Sequence, residues 1–102
     1  MKKEEIALDV VSRVTGVSRK AILSRCRVYR NVEARQLLVL LLYSDGFNDG
    51  KTALFLDRTR ESVLKSRHAA FDTRDVSRAF REKYIKALEL YEQQKSLRVA
   101  QA

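Results

Sequence analysis

The run from Leu37 to Tyr43 constrains the fold most, because every residue in it is aliphatic or aromatic. Leucine dominates this run, whereas a buried parallel strand favours Val and Ile. Glu33, Arg35 and Gln36 precede it and suit the first turns of a helix. The segment VEARQLLVLLLYSDG therefore predicts a helix, capped by Asn31, whose central residues are apolar on every face. Such a helix belongs at the centre of a small core.

The rest of the chain contains few residues that break helices. Its 102 residues include no proline and three glycines, too few turn-forming residues to connect the strands of a sheet. Heavy use of Leu, Ala, Arg, Lys and Glu also favours helices. We therefore predict one small all-α domain over residues 1–92, followed by a frayed tail over residues 93–102.

Apolar spacings of three and four residues, together with capping residues, predict further helices around the central one. The first runs from about Lys3 to Val14 and ends at Gly16, and Ser18 caps a short helix after it. Short helices follow at residues 51–56 and at residues 60–71, the second capped by Thr59. A long final helix, capped by Thr73, carries one apolar face: Val76, Phe80, Tyr84, Ala87, Leu88 and Tyr91.

The loop after the central helix contains Gly50-Lys51-Thr52, the ending of a nucleotide-binding P-loop. A P-loop has four residues between its first glycine and this ending, so that successive backbone N–H groups wrap the phosphates. Here Phe47, Asn48 and Asp49 alone separate Gly46 from Gly50, and Asp49 brings a carboxylate to the phosphate position. We therefore expect no nucleotide cofactor and interpret the segment as a turn between helices.

The charge of the chain favours a polyanionic partner. Lys and Arg number 21 against 13 acidic residues, which gives a formal net charge of +8. Nucleic acid is the first candidate and an anionic membrane surface the second. The run from Leu37 to Tyr43 is too short to span a bilayer, and MKKEEIALDV lacks the apolar stretch of a signal peptide. We expect a cytoplasmic, nucleoid-associated protein.

No catalytic or metal-binding pattern stands out. Cys26 is the single cysteine and His68 the single histidine, so neither has a partner for a zinc site or a catalytic pair. We expect a protein without enzymatic activity, cofactor or metal.

The segment TALFLDRTRESVLKSRHAAF has the spacing of a helix-turn-helix. Ala53 is a small residue where two helices cross, Asp57 is at the turn, and Val63 anchors the second helix. Aspartate tolerates the left-handed conformation of such a turn better than most residues. Any two short packed helices can show this pattern, so the spacing alone does not identify a helix-turn-helix. The basic residues on either side of the segment favour the helix-turn-helix interpretation.

The stretch VTGVSRKAILSRCRVYRNVEARQLL, from Val14 to Leu38, resembles the C-terminal DNA-binding domain of the bacterial chromosomal replication initiator DnaA. The similarity includes Ile22-Leu23-Ser24, a basic cluster ending in Arg27, and Ala34-Arg35-Gln36 at the start of the apolar helix. It continues more loosely through the helix-turn-helix. The resemblance implies a TrpR-like helical fold and a bacterial or phage DNA-binding module without the initiator's ATPase domain.

The resemblance also implies roles for individual residues. Arg27 matches an arginine that enters the DNA minor groove, while Arg35 and Gln36 match residues that grip the phosphate backbone. Arg58 matches the arginine at the start of the recognition helix. Where the family has Asp-His-Thr-Thr, this chain has Thr59-Arg60-Glu61-Ser62, so recognition of the initiator's own binding sequence is not implied.

These inferences lead to one candidate function and its alternatives. We expect binding of double-stranded DNA through a recognition helix from Thr59 to Ala70, with Arg60 as the main base reader. The alternatives are a helical protein–protein interaction module with an incidental basic surface and, less favoured, RNA binding. A homodimer or protein partner would use the C-terminal helix. The candidate DNA-binding residues are Arg25, Arg27, Arg30, Arg35, Gln36, Arg58, Thr59, Arg60, Glu61, Ser62 and Lys65.

Overall fold

The computed structural model describes the backbone of residues 2–101 and the side chains of residues 2–98. This part of the chain consists of helices joined by short turns, which confirms the predicted all-α class. None of its helices is both long and apolar enough to cross a membrane. In chain order the helices of the described residues are α1 (Lys3–Thr15), α2 (Arg19–Leu23), α3 (Tyr29–Ser44), α4 (Asp49–Leu56), α5 (Arg60–Val76) and α6 (Arg78–Gln101).

Helix α3 is the centre of the fold. Its residues from Leu37 to Leu42 are at most 2% exposed, which confirms that the central residues of the helix are buried on every face. All of the other helices contact it. Because burial of one leucine contributes roughly 1.5–3 kcal/mol, this run is a main source of hydrophobic stabilisation.

The caps at the N-terminal end of the fold lie where the sequence predicts them. Gly16 ends α1 in the left-handed conformation, with φ 74°, and its N–H bonds to the Ser12 carbonyl at 2.9 Å. The Ser18 hydroxyl caps α2 by accepting from the Ala21 N–H at 3.1 Å. The buried face of α1, formed by Ile6, Val10 and Val11, packs on α3 and α6.

The turn between α4 and α5 has a left-handed residue at its start. Asp57 has φ 54° and ψ 50°, and Thr59 caps α5 by accepting from the Ser62 N–H at 3.1 Å. Ala53 is 5% exposed on α4 and Val63 is 2% exposed on α5, so the two helices pack closely across the turn. These positions agree with the spacing seen in the sequence.

The start of α3 differs from the prediction. The Val28 carbonyl accepts from the N–H groups of Asn31 at 2.9 Å and Val32 at 3.0 Å, so Asn31 is already inside the helix and does not cap it. The side chains of the first turns support this earlier start. Tyr29 Oη donates to Glu33 at 3.0 Å, and Glu33 also pairs with Lys83 of α6 at 2.6 Å.

The boundary between α5 and α6 also differs from the prediction. Thr73 lies inside α5, where its hydroxyl donates to the Ala69 carbonyl at 2.8 Å, and the break falls at Ser77. The Ser77 hydroxyl accepts from the Phe80 N–H at 3.2 Å and so caps α6. Val76, assigned to the apolar face of the last helix, is 85% exposed at the end of α5. That assignment was wrong because the helix breaks directly after Val76.

The apolar face of α6 otherwise packs as predicted. Phe80, Ala87 and Tyr91 are buried, and Tyr84 and Leu88 are partly buried against the same core. The backbone stays helical beyond Glu92 to Gln101, where the sequence predicted a tail, while Ala102 lies outside the described residues. Lys95 ties this extension to the loop after α3 through an ion pair with Asp45 at 2.9 Å.

Candidate nucleic-acid interface

A groove of about 590 Å³ lies between α3, the end of α4, the first turns of α5 with the turn before them, and the segment that joins α2 to α3. Its polar rim contains four arginines, Arg25, Arg27, Arg35 and Arg58, with Ser62 and Ser66. Its apolar floor contains Val32, Val39, Leu56 and Val63. None of the described residues that line it carries a carboxylate. We call this site the arginine groove.

Residues 24–28, which we call the arginine loop, form one wall of this groove. Ser24 ends α2 in an extended conformation, with ψ 169°, and α3 begins directly after Val28. Arg25, Cys26 and Arg27 between them are exposed. Two local hydrogen bonds stabilise the loop. The Ser24 hydroxyl donates to the Ala21 carbonyl at 2.7 Å, and the Cys26 N–H donates to the Ser24 hydroxyl at 3.3 Å.

Arg35 lies behind the arginine loop and is half-buried. Its Nε donates to the Ile22 carbonyl at 2.7 Å and its Nη2 donates to the Cys26 carbonyl at 3.0 Å. Burial lowers the pKa of the Arg35 guanidinium, and the nearby charge of Arg58 lowers it further. Arginine nevertheless stays protonated at neutral pH. The groove therefore holds positive charge that no carboxylate in its lining compensates.

The turn before α5 brings Arg58 to the same groove. Arg58 Nη2 donates to the Ser24 carbonyl at 2.6 Å, and Arg25 Nη2 donates in the opposite direction to the Asp57 carbonyl at 3.4 Å. The left-handed conformation of Asp57 turns the chain at this point.

The first turns of α5 form another side of the groove, through Ser62, Val63 and Ser66. Thr59 uses its hydroxyl for the helix cap, and Ser62 faces the groove. Arg60, Glu61 and Lys65 are exposed on the same helix. An arginine, an acid and a lysine are therefore available to a ligand that approaches the N-terminus of α5.

Two candidate residues lie elsewhere. Arg30 lines a separate cavity of about 140 Å³ together with Tyr29, Glu33 and Lys83. Gln36 is half-buried beside the second half of α5, and its Oε1 is 3.5 Å from the Thr73 hydroxyl. The structure therefore brings Arg25, Arg27, Arg35, Arg58 and Ser62 into one groove. The other candidates, Arg30, Gln36, Thr59, Arg60, Glu61 and Lys65, are not among its lining residues.

Ser66 and the carbonyls that bind the arginines are parts of the site that the sequence analysis missed. Ser66 follows Ser62 by one helical turn, so the i, i+4 spacing on α5 was a usable signal for it. The carbonyls of Ile22, Ser24 and Cys26 give no such signal, because a backbone acceptor is the same in every residue type.

The Gly-Lys-Thr segment forms the first turn of α4. Asn48 caps this helix by accepting from the Lys51 N–H at 2.8 Å, and Asp49 makes a bidentate pair with Arg67 of α5, both distances being 2.9 Å. The hydrogen bonds from Arg67 hold the pKa of Asp49 below its ordinary value. Lys51 lies over the Phe47 ring, 4.8 Å from its centroid. These residues thus join α4 to its neighbours.

The described residues contain no group of three or more His, Cys, Asp or Glu side chains that could hold a metal ion. Comparisons of the chain with protein-family models, with curated proteins and with solved structures found no match.

Proposed function

We propose that this protein binds double-stranded DNA, with the phosphate backbone along the arginine groove and the first turn of α5 in the major groove. The observation that carries this proposal is the arginine groove itself. Residues from three separate parts of the chain place four guanidinium groups around one apolar floor, and no carboxylate lies among the lining residues.

The four guanidinium groups repel one another, and a bound polyanion would offset this repulsion. Duplex DNA supplies one negative charge per roughly 1.7 Å of its axis. Guanidinium groups also match phosphate geometry better than ammonium groups, because their planar fork can donate two hydrogen bonds at once. The net charge of +8 adds a general attraction to the specific groove.

The position of α5 supports a role in base recognition. Its N-terminus begins beside the groove, and the helix dipole makes that end favourable for phosphates. The buried pair Ala53 and Val63 and the left-handed Asp57 form the kind of helix pair that presents its second helix to the major groove. Arg60 is then exposed in the first turn of the reading helix.

The arginine loop supports a second contact with the duplex. Arg27 is exposed on a segment that lies apart from α5, and a narrow AT-rich minor groove attracts arginine through its negative potential. The similarity of Val14 to Leu38 to the DnaA DNA-binding domain gives the same role to Arg27. In this proposal the protein reads two adjacent grooves of one duplex.

The alternative is a protein-interaction module that uses α6. Two large apolar side chains of this helix are exposed, Ile85 at 50% and Leu97 at 55%. However, Phe80, Ala87 and Tyr91 on its main apolar face are 0% exposed and belong to the core. This leaves α6 a smaller apolar surface than its sequence pattern suggests, so DNA binding is the better supported function.

The test is a fluorescence-anisotropy titration of labelled duplexes over a range of salt concentrations. For a DNA-binding protein, log K should fall linearly with log salt, with a slope of about 0.9 for each phosphate neutralised. The double variant Arg25→Gln/Arg27→Gln should bind more weakly and have a shallower slope, by about one unit for each cation that meets a phosphate.

The matched control is Lys2→Gln/Lys86→Gln, which removes the same charge from two exposed positions outside the arginine groove. Equal effects of the two double variants would show that net charge alone drives binding. Binding that does not depend on salt, or no binding to any duplex, would favour the protein-interaction alternative.

A further inference from the structure

Arginines from other parts of the chain bind the backbone of the arginine loop and of the end of α2 before it. Backbone carbonyls at alternating positions, those of Ile22, Ser24 and Cys26, each accept a hydrogen bond from an arginine of another segment. Arg35 supplies two of these bonds and Arg58 supplies the third, at distances from 2.6 to 3.0 Å. The path of the loop therefore depends on two guanidinium groups.

The contacts between the loop and the turn before α5 run in both directions. Arg58 of the turn donates to the Ser24 carbonyl at 2.6 Å, and Arg25 of the loop donates to the Asp57 carbonyl at 3.4 Å. Arg35 fastens the same loop to α3. These contacts join the arginine loop, α3 and the beginning of α5 into one unit.

We propose that Arg35 and Arg58 are positioning residues, which hold the arginine loop at a fixed place relative to α5 so that both meet the duplex together. This inference rests on the proposed function, because it concerns how the two DNA contacts cooperate. A loop that is ordered before binding does not have to be ordered by the ligand, so Arg27 can contribute its full contact to affinity.

This role differs from the phosphate grip that the sequence resemblance implies for Arg35. Its Nε and Nη2 are both directed to carbonyls inside the protein. A lysine at the same place would keep the positive charge but could not bridge two carbonyls with a planar fork. Substitution by lysine therefore separates the two roles, since charge is retained and the bridge is lost.

The affinity experiment is a double-mutant cycle on an AT-rich duplex at one salt concentration, using wild type, Arg27→Ala, Arg35→Lys and the double variant. If Arg35 positions the loop, Arg35→Lys should weaken binding, and adding Arg27→Ala should have little further effect. We expect a coupling on the order of tenfold in Kd. Near-normal affinity of Arg35→Lys, with the full effect of Arg27→Ala retained, would overturn the proposal.

A second experiment tests the loop without DNA. Trypsin cleaves after Arg25 and Arg27, and mass spectrometry can follow these cuts in the full chain. Arg35→Lys and Arg58→Lys should each speed cleavage at these bonds, whereas Arg13→Lys, the same change on the exposed surface of α1, should not. Two independent variants keep the test valid if one of them folds poorly, which a melting curve would show.

The outcomes separate the two proposals. Unchanged cleavage in both lysine variants, together with normal binding of the wild type to DNA, would overturn the positioning role alone. Failure of the wild type to bind any duplex would overturn the proposed function and the positioning role with it.

Discussion

At the scale of single residues, the Asp45 carboxylate joins the loop after α3 to two side chains of α6. It accepts from Tyr91 Oη at 2.6 Å and from Lys95 Nζ at 2.9 Å, both on α6. Burial is the largest single effect and opposes the charge, but the two hydrogen bonds and the positive charges of Lys95 and Lys3 together outweigh it, so the pKa of Asp45 lies below its ordinary value. Burial, followed by the hydrogen bond to Asp45 and the charge of that carboxylate, raises the pKa of Tyr91.

Replacing Tyr91 with Phe removes one of these donors. We expect a loss of about 1.5–3 kcal/mol in the free energy of unfolding, because the acceptor is charged and largely buried. Tyr84→Phe is the matched control, since the Tyr84 hydroxyl bonds to the neutral Ser44 hydroxyl, and it should lose about 0.5–1.5 kcal/mol. Urea denaturation at neutral pH measures both, and equal losses would contradict the importance of the Asp45 charge.

The same carboxylate should make stability depend on pH. Because folded Asp45 has a lower pKa than the unfolded chain, its contribution is complete above the unfolded value and is lost as the pH falls through the folded value. Asp45→Asn should therefore be less stable than wild type at neutral pH and approach it in acid. A constant difference from pH 7 down to about pH 3 would contradict this prediction.

Arg60 and Lys65 should have separable effects on DNA binding, although both are exposed cations of α5. Arg60→Ala should relax preference at one base pair, because a bidentate arginine–guanine contact contributes about 1–3 kcal/mol of discrimination. Lys65→Ala should weaken all duplexes alike and make the salt slope shallower by about one unit. Anisotropy titrations on selected and scrambled duplexes measure both, and identical behaviour would rule out Arg60 as a base reader.

At this scale the sequence predicts part of the groove lining but not the contacts that each side chain makes. Arg25, Arg27, Arg35, Arg58 and Ser62 were all chosen from charge and motif, and all line one groove. Two donors of Arg35 nevertheless bind backbone carbonyls, that of Ile22 in α2 and that of Cys26 in the arginine loop. Local spacing cannot reveal this, because those acceptors depend on the path of the loop in three dimensions.

At the scale of secondary-structure elements, the turn between α4 and α5 depends on one left-handed residue. Asp57 has φ 54°, a conformation that costs an L-residue about 1–2 kcal/mol and that glycine adopts freely. We expect Asp57→Ala to lower stability by about 1 kcal/mol and Asp57→Gly to be at least as stable as wild type. Thermal and urea denaturation measure the order.

A matched pair at Asp72 provides the control, because this exposed residue lies inside helix α5. There alanine should be more stable than glycine by roughly 1 kcal/mol, the reverse of the order at the turn. The same order at both positions would show that the conformation of Asp57 is not what limits stability.

The exact helix boundaries are predicted less well by the sequence than the helices themselves. Ser18 and Thr59 cap the helices that the sequence assigns to them, yet Thr73 does not. A threonine hydroxyl can either cap a helix or donate to a carbonyl of the preceding turn inside one. Here the true break is at Ser77, and tertiary packing of Phe80 and Tyr91 on the core accompanies it.

At the scale of the whole molecule, the packing of α4 against α5 argues against a nucleotide-binding site at the Gly-Lys-Thr segment. The Gly-Lys-Thr segment is the first turn of α4, and Asp49 there is paired with Arg67. We therefore expect that neither ATP nor GTP with magnesium raises the melting temperature, since a ligand that binds the folded state must stabilise it. A clear rise at millimolar nucleotide, absent with magnesium alone, would contradict this expectation.

The fold class follows from the sequence because it depends on patterns summed over many residues. The run from Leu37 to Leu42 is buried on every side, and in a chain with so few helix-breaking residues the elements that cover it are helices. The arginine groove is different, since it forms where the arginine loop, α3 and the turn before α5 meet. Its existence depends on how those elements pack, and local periodicity carries no information about that.

Cys26 gives the arginine loop a practical use in the laboratory. It is the single cysteine of the sequence, and it is exposed between Arg25 and Arg27. A maleimide dye or a spin label will therefore attach at one defined position beside the groove, without any engineered substitution. Reducing agent belongs in every preparation, because a disulfide between two such thiols would link two molecules through their arginine loops.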